Sequence, residues 1–155
     1  DLMPSIRPCI ALFTLLIAGL SQPAAALCVS AAEAHLREGP GKHYRKTWTV
    51  YQYMPLQSLG NKGRWLKVKD LDGERHWIHA SLVSTRMGCA AVKRANANVR
   101  TGPGTQYPRA TWSPLDRYYS LKVLSTKGRW TQVRDEVGNT GWVASALLWS
   151  LRAGR

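Results

Sequence analysis

Acidic side chains are scarce in this chain: nine Asp and Glu stand against 22 Lys and Arg, a formal net charge of +13. No pair of carboxylates stands out for glycoside hydrolysis. Asp70 and Asp135 end predicted strands beside turns, where they read as structural. Phenylalanine occurs once, against seven Trp and six Tyr. The one long apolar run, "IALFTLLIAGL" at 10–20, falls short of the ~20 residues that span a bilayer. Beyond it there is no apolar stripe of helical period. No Ser–His–Asp or Cys–His arrangement can be assembled. The four His (His35, His43, His76 and His79) all precede residue 80. His76 and His79 lie three apart on a predicted strand and so face opposite sides, which prevents them from sharing a tetrahedral metal. The sequence therefore predicts no catalytic residues, no metal and no cofactor.

What is present is basic and aromatic. Arg7 precedes the apolar run, and "SQPAAAL" at 21–27 follows it with small residues. That order is the order of a secretory signal peptide, here 1–26, with Ala24 and Ala26 at the cleavage site and cleavage before Leu27. The expected location is periplasmic or secreted, with no stable membrane span. An uncleaved anchor is one alternative. A lipid-modified Cys28 is another, although Leu27 stands where such signals want a small residue. Export sets nucleic acid aside as a partner. It leaves anionic envelope components: the carboxylates of peptidoglycan peptide stems, anionic lipid or lipopolysaccharide. Cys9 departs with the signal, leaving Cys28 and Cys89. An even count in an oxidising compartment favours a disulfide, with two buried or free thiols as the alternative.

The chain also repeats itself. "LREGPGKHY" (36–44) aligns with "VRTGPGTQY" (99–107), an offset of 63 from Arg37 to Arg100. "KGRWLKVKD" (62–70) aligns with "KGRWTQVRD" (127–135), and "HWIHASLV" (76–83) with "GWVASALL" (141–148), both at 65. Three blocks in one order mark a tandem duplication. Each copy has about sixty residues, small for a self-supporting core. Gly39-Pro40-Gly41 and Gly102-Pro103-Gly104 suit a type II turn with Gly at its third position. "NKG", "TKG", Gly73 and Gly138 suit hairpin turns. Short strands with regular turns predict an all-β chain of two small barrels.

The order of these motifs, "NVRTGPGTQY", "KGRWTQVRD" and "GNTGWVASALL", resembles the bacterial SH3-like (SH3b) family, twice over. The first copy departs from the pattern at Leu36 and His76, which match Val99 and Gly141. The resemblance implies two tandem SH3-like barrels, 27–88 and 89–155. It also implies that a Cys28–Cys89 bridge closes the first barrel, whose ends such a fold brings together.

Strand alternation predicts that Leu66 and Val68 face the core, with Trp65, Lys67 and Lys69 opposite. In the second copy Thr131 and Val133 oppose Trp130, Gln132 and Arg134. By the resemblance, Trp65 and Trp130 look like the Trp that floors an SH3 ligand groove. An exposed Trp beside cations can stack on a sugar or pack a peptide while charge steers an acidic ligand. The candidate ligand-binding residues are Trp65, Lys67, Trp77 and Tyr44, with Trp130, Arg134, Trp142 and Tyr107 in the second copy. Trp48, Trp112, Tyr51, Tyr53, Tyr118 and Tyr119 fall in the segment that differs most between copies and are weaker candidates for a specificity loop. Arg37 and Arg100 are expected to tie down the Gly-Pro-Gly loops rather than touch ligand. The sequence thus predicts a non-catalytic envelope-binding module for peptidoglycan, at its peptide stem or cross-bridge. The alternative is an adaptor for a periplasmic protein partner.

Overall fold

The computed structural model of the chain describes residues 26–151. The signal peptide read at 1–26 lies outside the described residues except for Ala26. Two sheets account for nearly all regular structure there. The first contains β1 (Ala26–Val29), β2 (Glu33–Arg37), β3 (Lys46–Tyr51), β4 (Pro55–Lys62), β5 (Trp65–Lys69), β6 (Arg75–His79) and β7 (Val83–Ser84). Its spatial order is β3-β2-β6-β5-β4-β1-β7. The second contains β8 (Gly88–Val92), β9 (Ser120–Lys127), β10 (Trp130–Arg134), β11 (Thr140–Ala144) and β12 (Leu148–Leu151), ordered β11-β10-β9-β8-β12. Two one-turn 3-10 helices, Ala80–Leu82 and Ser145–Leu147, precede the last strand of each sheet. No helix among the described residues is long and apolar enough to cross a membrane.

The duplication is visible in how each sheet bends. The long strands β4 and β9 pair backwards with β1 and β8, and forwards with β5 and β10. Each carries a register shift, at Ser58/Gly60 and opposite Gln132/Val133. A bulge bends and twists a strand, and here it lets one strand serve both sides of a small core. Gly63 and Gly128, with φ of 58° and 57°, begin the tight turns into β5 and β10. The second copy keeps β2 and β3 only as isolated bridges, Ala97↔Leu115, Arg100↔Arg109 and Arg100↔Trp142. Pro108 and Pro114 interrupt that segment, and proline has no N–H to give a ladder. The matching stretch 45–54 of the first copy contains no proline and holds the continuous strand Lys46–Tyr51.

Alternation along β5, β6, β10 and β11 sorts the side chains as expected. Val68, Ile78, Val133 and Val143 are fully buried, and Leu66 packs against the first core. Trp65, Trp77, Trp130 and Trp142 stay half-buried on the opposite face. Leu36, Leu56 and Ile78 fill the first core and Leu121, Val99 and Val143 the second. Each such side chain contributes roughly 1.5–3 kcal/mol by leaving water.

Asp70 and Asp135 organise equivalent turns. Asp70 Oδ1 accepts from the N–H of Asp72 and Glu74, at 2.9 and 2.8 Å. Asp135 Oδ1 accepts from Val137 and Asn139, at 3.1 and 2.8 Å. The second carboxylate oxygen is satisfied differently in each copy. In the first it meets Nε2 of buried His76 at 2.8 Å; in the second it accepts from the Asn139 side-chain amide at 2.7 Å. His76 therefore belongs to a buried turn.

The two barrels are docked. Ala91 of β8 completes the core of the first barrel, and Tyr118 of the second packs on it. The Tyr118 ring stands edge-on to Trp48, centroids 5.3 Å apart, and its hydroxyl donates to Asp72 of the β5–β6 hairpin. Arg117 donates to the same carboxylate at 2.6 Å and lies 4.5 Å above the Tyr118 ring. Ser120 Oγ donates to the carbonyl of Gln52 at 2.7 Å. Cys28 and Cys89 form the expected disulfide, but it does not close the first barrel. Cys89 sits in β8, the first strand of the second sheet, so the bond joins β1 to β8 across the interface. In each copy the last strand already pairs with the first, β7 with β1 and β12 with β8, so the chain ends of each copy are brought together by backbone hydrogen bonds.

Both half-cystines are fully buried, and the bond spans 61 residues. The double substitution C28A/C89A is expected to lower unfolding free energy by about 4 kcal/mol on the loop-entropy estimate, with far-UV circular dichroism retained. Urea titration measures it, and a loss below about 1 kcal/mol would contradict it. Asp72 supplies a pH signature. The Tyr118 hydrogen bond is the largest influence and, helped by the Arg117 charge and hydrogen bond, holds its carboxyl below the usual range against desolvation, which opposes them more strongly than the Arg117 charge alone favours it. A depressed folded-state pKa gives stability that is present above the unfolded value and lost as pH falls through the folded one. Wild type should therefore exceed Asp72→Asn in melting temperature at pH 6, and the gap should close below about pH 4.

Candidate functional site

The pairing register places the half-buried tryptophans in rows across the outer face of the first sheet. Trp65 lies opposite His79, Lys67 opposite Trp77, and Trp77 opposite Arg37. Residues directly opposite share a face and touch. At the Trp65 end this face opens into a cleft of about 400 Å³ lined by Glu33, His35, Arg37, Lys42, Trp65 and His79, with Ala34, Ser81 and Leu82 completing the wall.

Trp65 presents its indole to the cleft with His79 edge-on beside it, centroids 5.3 Å apart and planes at 82°. His79 Nδ1 accepts from the Ser81 N–H at 3.2 Å and lies 2.7 Å from the Ser81 hydroxyl. The neutral ring then carries its proton on Nε2 as a donor. His35 is held between Thr49, at 3.2 Å, and Glu33, at 3.7 Å. Glu33 is the one carboxylate among the lining residues, set against Arg37 and Lys42. The cleft thus combines an apolar floor, two imidazoles and two cations.

Of the predicted first-copy residues, Trp65 lines the cleft. Lys67 and Trp77 occupy the next row of the same face, and Tyr44 is elsewhere. In the second copy Trp130 pairs with Ala144, Gln132 with Trp142, and Arg134 with Thr140. Trp130 and Trp142 therefore share one outer face with Arg134 and Arg100, the latter bridged to Trp142. That copy keeps Arg100 for Arg37 but lacks the other ionisable groups of the cleft. At the positions of Glu33, His35, Lys42, His79 and Ser81 it has Asn96, Asn98, Thr105, Ala144 and Ala146. Motif matching favoured what the copies share and so passed over His35, Lys42 and His79. The confinement of all four His to one copy was the signal that could have found them.

The Gly-Pro-Gly loops differ from the expected type II turn. Neither Gly41 nor Gly104 has the positive φ that such a turn demands at its third position. Instead Gly41 N–H bonds to the Gly39 carbonyl at 2.9 Å, a tight turn about Pro40, and Gly104 repeats this onto Gly102 at 3.0 Å. Close approach explains the first glycine of each loop. A Cβ on Gly39 would lie 2.5 Å from the Tyr44 ring, and one on Gly102 would lie 2.4 Å from the Tyr107 ring. Tyr44 and Tyr107 therefore cap their own loops rather than line the cleft. Arg37 and Arg100 fasten the same loops, each donating to the carbonyl of that tyrosine at 2.9 Å.

Of the weaker aromatic candidates, Trp48 and Tyr118 belong to the interface between barrels, while Tyr51 and Tyr119 stay exposed there at 53% and 37%. Trp112 packs against the second core. Tyr53 adopts a left-handed backbone, with φ of 71°.

Comparison with known proteins identifies both halves. Residues 30–85 and residues 95–148 match two families, each described as a bacterial SH3 domain. No curated protein matches the chain in sequence. Among solved structures, an NlpC/P60 family protein from Bacillus cereus is 12% identical, with a TM-score of 0.37, covering 83% of this chain and 57% of its own. NlpC1 from Trichomonas vaginalis is also 12% identical, with a TM-score of 0.35, covering 84% of this chain and 47% of its own. This chain thus spans about half the length of those proteins.

The loop geometry predicts a specific coupling. Gly39→Ala should destabilise the protein by about 1–3 kcal/mol through overpacking, and most of that cost should vanish in a Tyr44→Ala background. A double-mutant cycle in urea reads the coupling; additive effects would contradict the packing described.

Proposed function

The chain belongs to the bacterial SH3 domain family, with two copies in tandem, and from that premise we propose that it is a non-catalytic binding module of the cell envelope. Its proposed ligand is peptidoglycan, taken by its peptide stem or cross-bridge in the Trp65 cleft. The observation that carries this reading is the pairing of an indole floor with Arg37 and Lys42 at one opening. An apolar side chain of a peptide packs on the indole, while a stem carboxylate meets the cations. The His79 Nε2–H offers a directional donor to a peptide carbonyl.

The second copy retains Trp130 and Arg100 but not the imidazoles or the counterpart of Lys42. The proposed binding is therefore concentrated in the first barrel, with the second contributing a weaker contact. Two linked sites on one polymer gain avidity only when both engage together.

Purified insoluble wall sacculi test the reading directly. The protein should sediment with sacculi at low salt, Trp65→Ala should lose at least tenfold in apparent affinity, and Trp130→Ala should lose less. Retention of wild-type protein in the supernatant would refute it. A stoichiometric complex from periplasmic extract that needs Trp65 and survives wall digestion would favour the adaptor reading instead.

A further inference from the structure

The junction between the barrels holds two adjoining cavities that share no lining residue with the Trp65 cleft. The smaller, of about 120 Å³, is lined by Tyr51 of the first barrel and by Tyr118, Tyr119, Ser120 and Glu136 of the second. The larger, of about 320 Å³, is lined by the same three tyrosines, with Trp48, Met54 and Asp116 among its walls. Neither barrel alone supplies either set. In a chain with 22 Lys and Arg, none lines the smaller cavity, and its one charged residue is a carboxylate. Glu136 takes part in no ion pair among the described residues, where carboxylates pair instead with His35, Arg45, His76 and Arg117. Its charge nonetheless reaches the cavity. Burial first, then the carboxylates of Asp135 and Glu136, push the Tyr119 hydroxyl above its ordinary range.

Two of the cavity's hydroxyls already donate elsewhere, Tyr118 to Asp72 and Ser120 to the Gln52 carbonyl. What remains to meet a ligand is three aromatic rings and one unpaired carboxylate. Ring faces attract cations, and several rings about one seat are the arrangement that takes quaternary ammonium groups. One ring of the three already holds a cation, since Arg117 lies 4.5 Å over Tyr118 without lining the smaller cavity. A primary ammonium has three N–H donors to satisfy, and burying some of them unpaired is costly. A trimethylammonium group has none. We propose that Tyr51, Tyr118, Tyr119 and Glu136 form a binding site for the trimethylammonium head of a small organic cation. The rest of that molecule lies along the larger groove, beside Trp48. The inference goes beyond the wall-binding reading and does not depend on it.

Choline, titrated into the full chain at constant ionic strength, is the probe. Its N-methyl proton resonance reads the binding and should move upfield as the rings enclose it. Two analogues define the recognition: the uncharged isostere in which a tert-butyl group replaces trimethylammonium, and ethanolamine, which has N–H in place of the methyls. Each should bind about tenfold more weakly than choline. Y51L/Y119L, which keeps apolar bulk but removes two rings, should weaken choline binding about tenfold, whereas Y51F/Y119F should stay within about twofold of wild type. Glu136→Gln should cost about threefold, the worth of a partly exposed charge. Trp65→Ala should leave choline binding unchanged. Equal binding of choline and its uncharged isostere would reduce the site to an apolar hollow and overturn the proposal. So would ethanolamine binding as tightly as choline, equal losses in the Leu and Phe variants, or no upfield shift with wild type. Loss of choline binding in Trp65→Ala would place the ligand in the cleft and overturn it as well.

Discussion

A barrel of about sixty residues buries too small a share of its surface to be comfortably stable alone. The contact between β1 and β8 is where this protein meets that constraint. Ala91 leaves its own sheet's core to the neighbours of β8 and completes the other barrel's core instead. The disulfide fixes the same two strands, and Tyr118, Arg117 and Asp72 clamp the junction from outside. Positions of β2, β5 and β6, and with them the cleft, are defined against a core that only both copies together complete.

The repeated parts of this architecture were legible because repetition cancels accident. Strand alternation around Trp65 and Trp130, the turn-forming role of Asp70 and Asp135, and the Arg37 and Arg100 loop ties all followed from motifs seen twice. What could not be read lay where one copy's chemistry meets the other's. The cysteine pair was predictable from its count, but its span was not. Cys28 and Cys89 belong to first strands of different sheets, and sequence motifs do not say which strand of which copy a short segment joins. The Gly-Pro-Gly turn was misassigned for a related reason. The first glycine of each loop serves a contact with Tyr44 or Tyr107, five residues on, rather than a backbone angle.

Divergence between the copies is as informative as their likeness. The scaffold residues are shared, whereas the imidazoles, Glu33 and Lys42 of the cleft belong to the first copy. Even the buried carboxylate of the shared turn takes His76 in one copy and Asn139 in the other. One copy carries ionisable groups where the other has plainer side chains, a division that duplication permits once stability is jointly held.

The placement of the disulfide has a mechanical consequence. Residues 29–88 form a covalent loop hanging from the bond between Cys28 and Cys89. Tension applied between the two ends of the described chain passes from Cys28 through sulfur to Cys89 and on into the second barrel. The first barrel, with the Trp65 cleft, is bypassed by that load. Stretching therefore acts on the second barrel first, and the first, although it carries no load, loses the packing of Ala91 and Tyr118 once the second unravels.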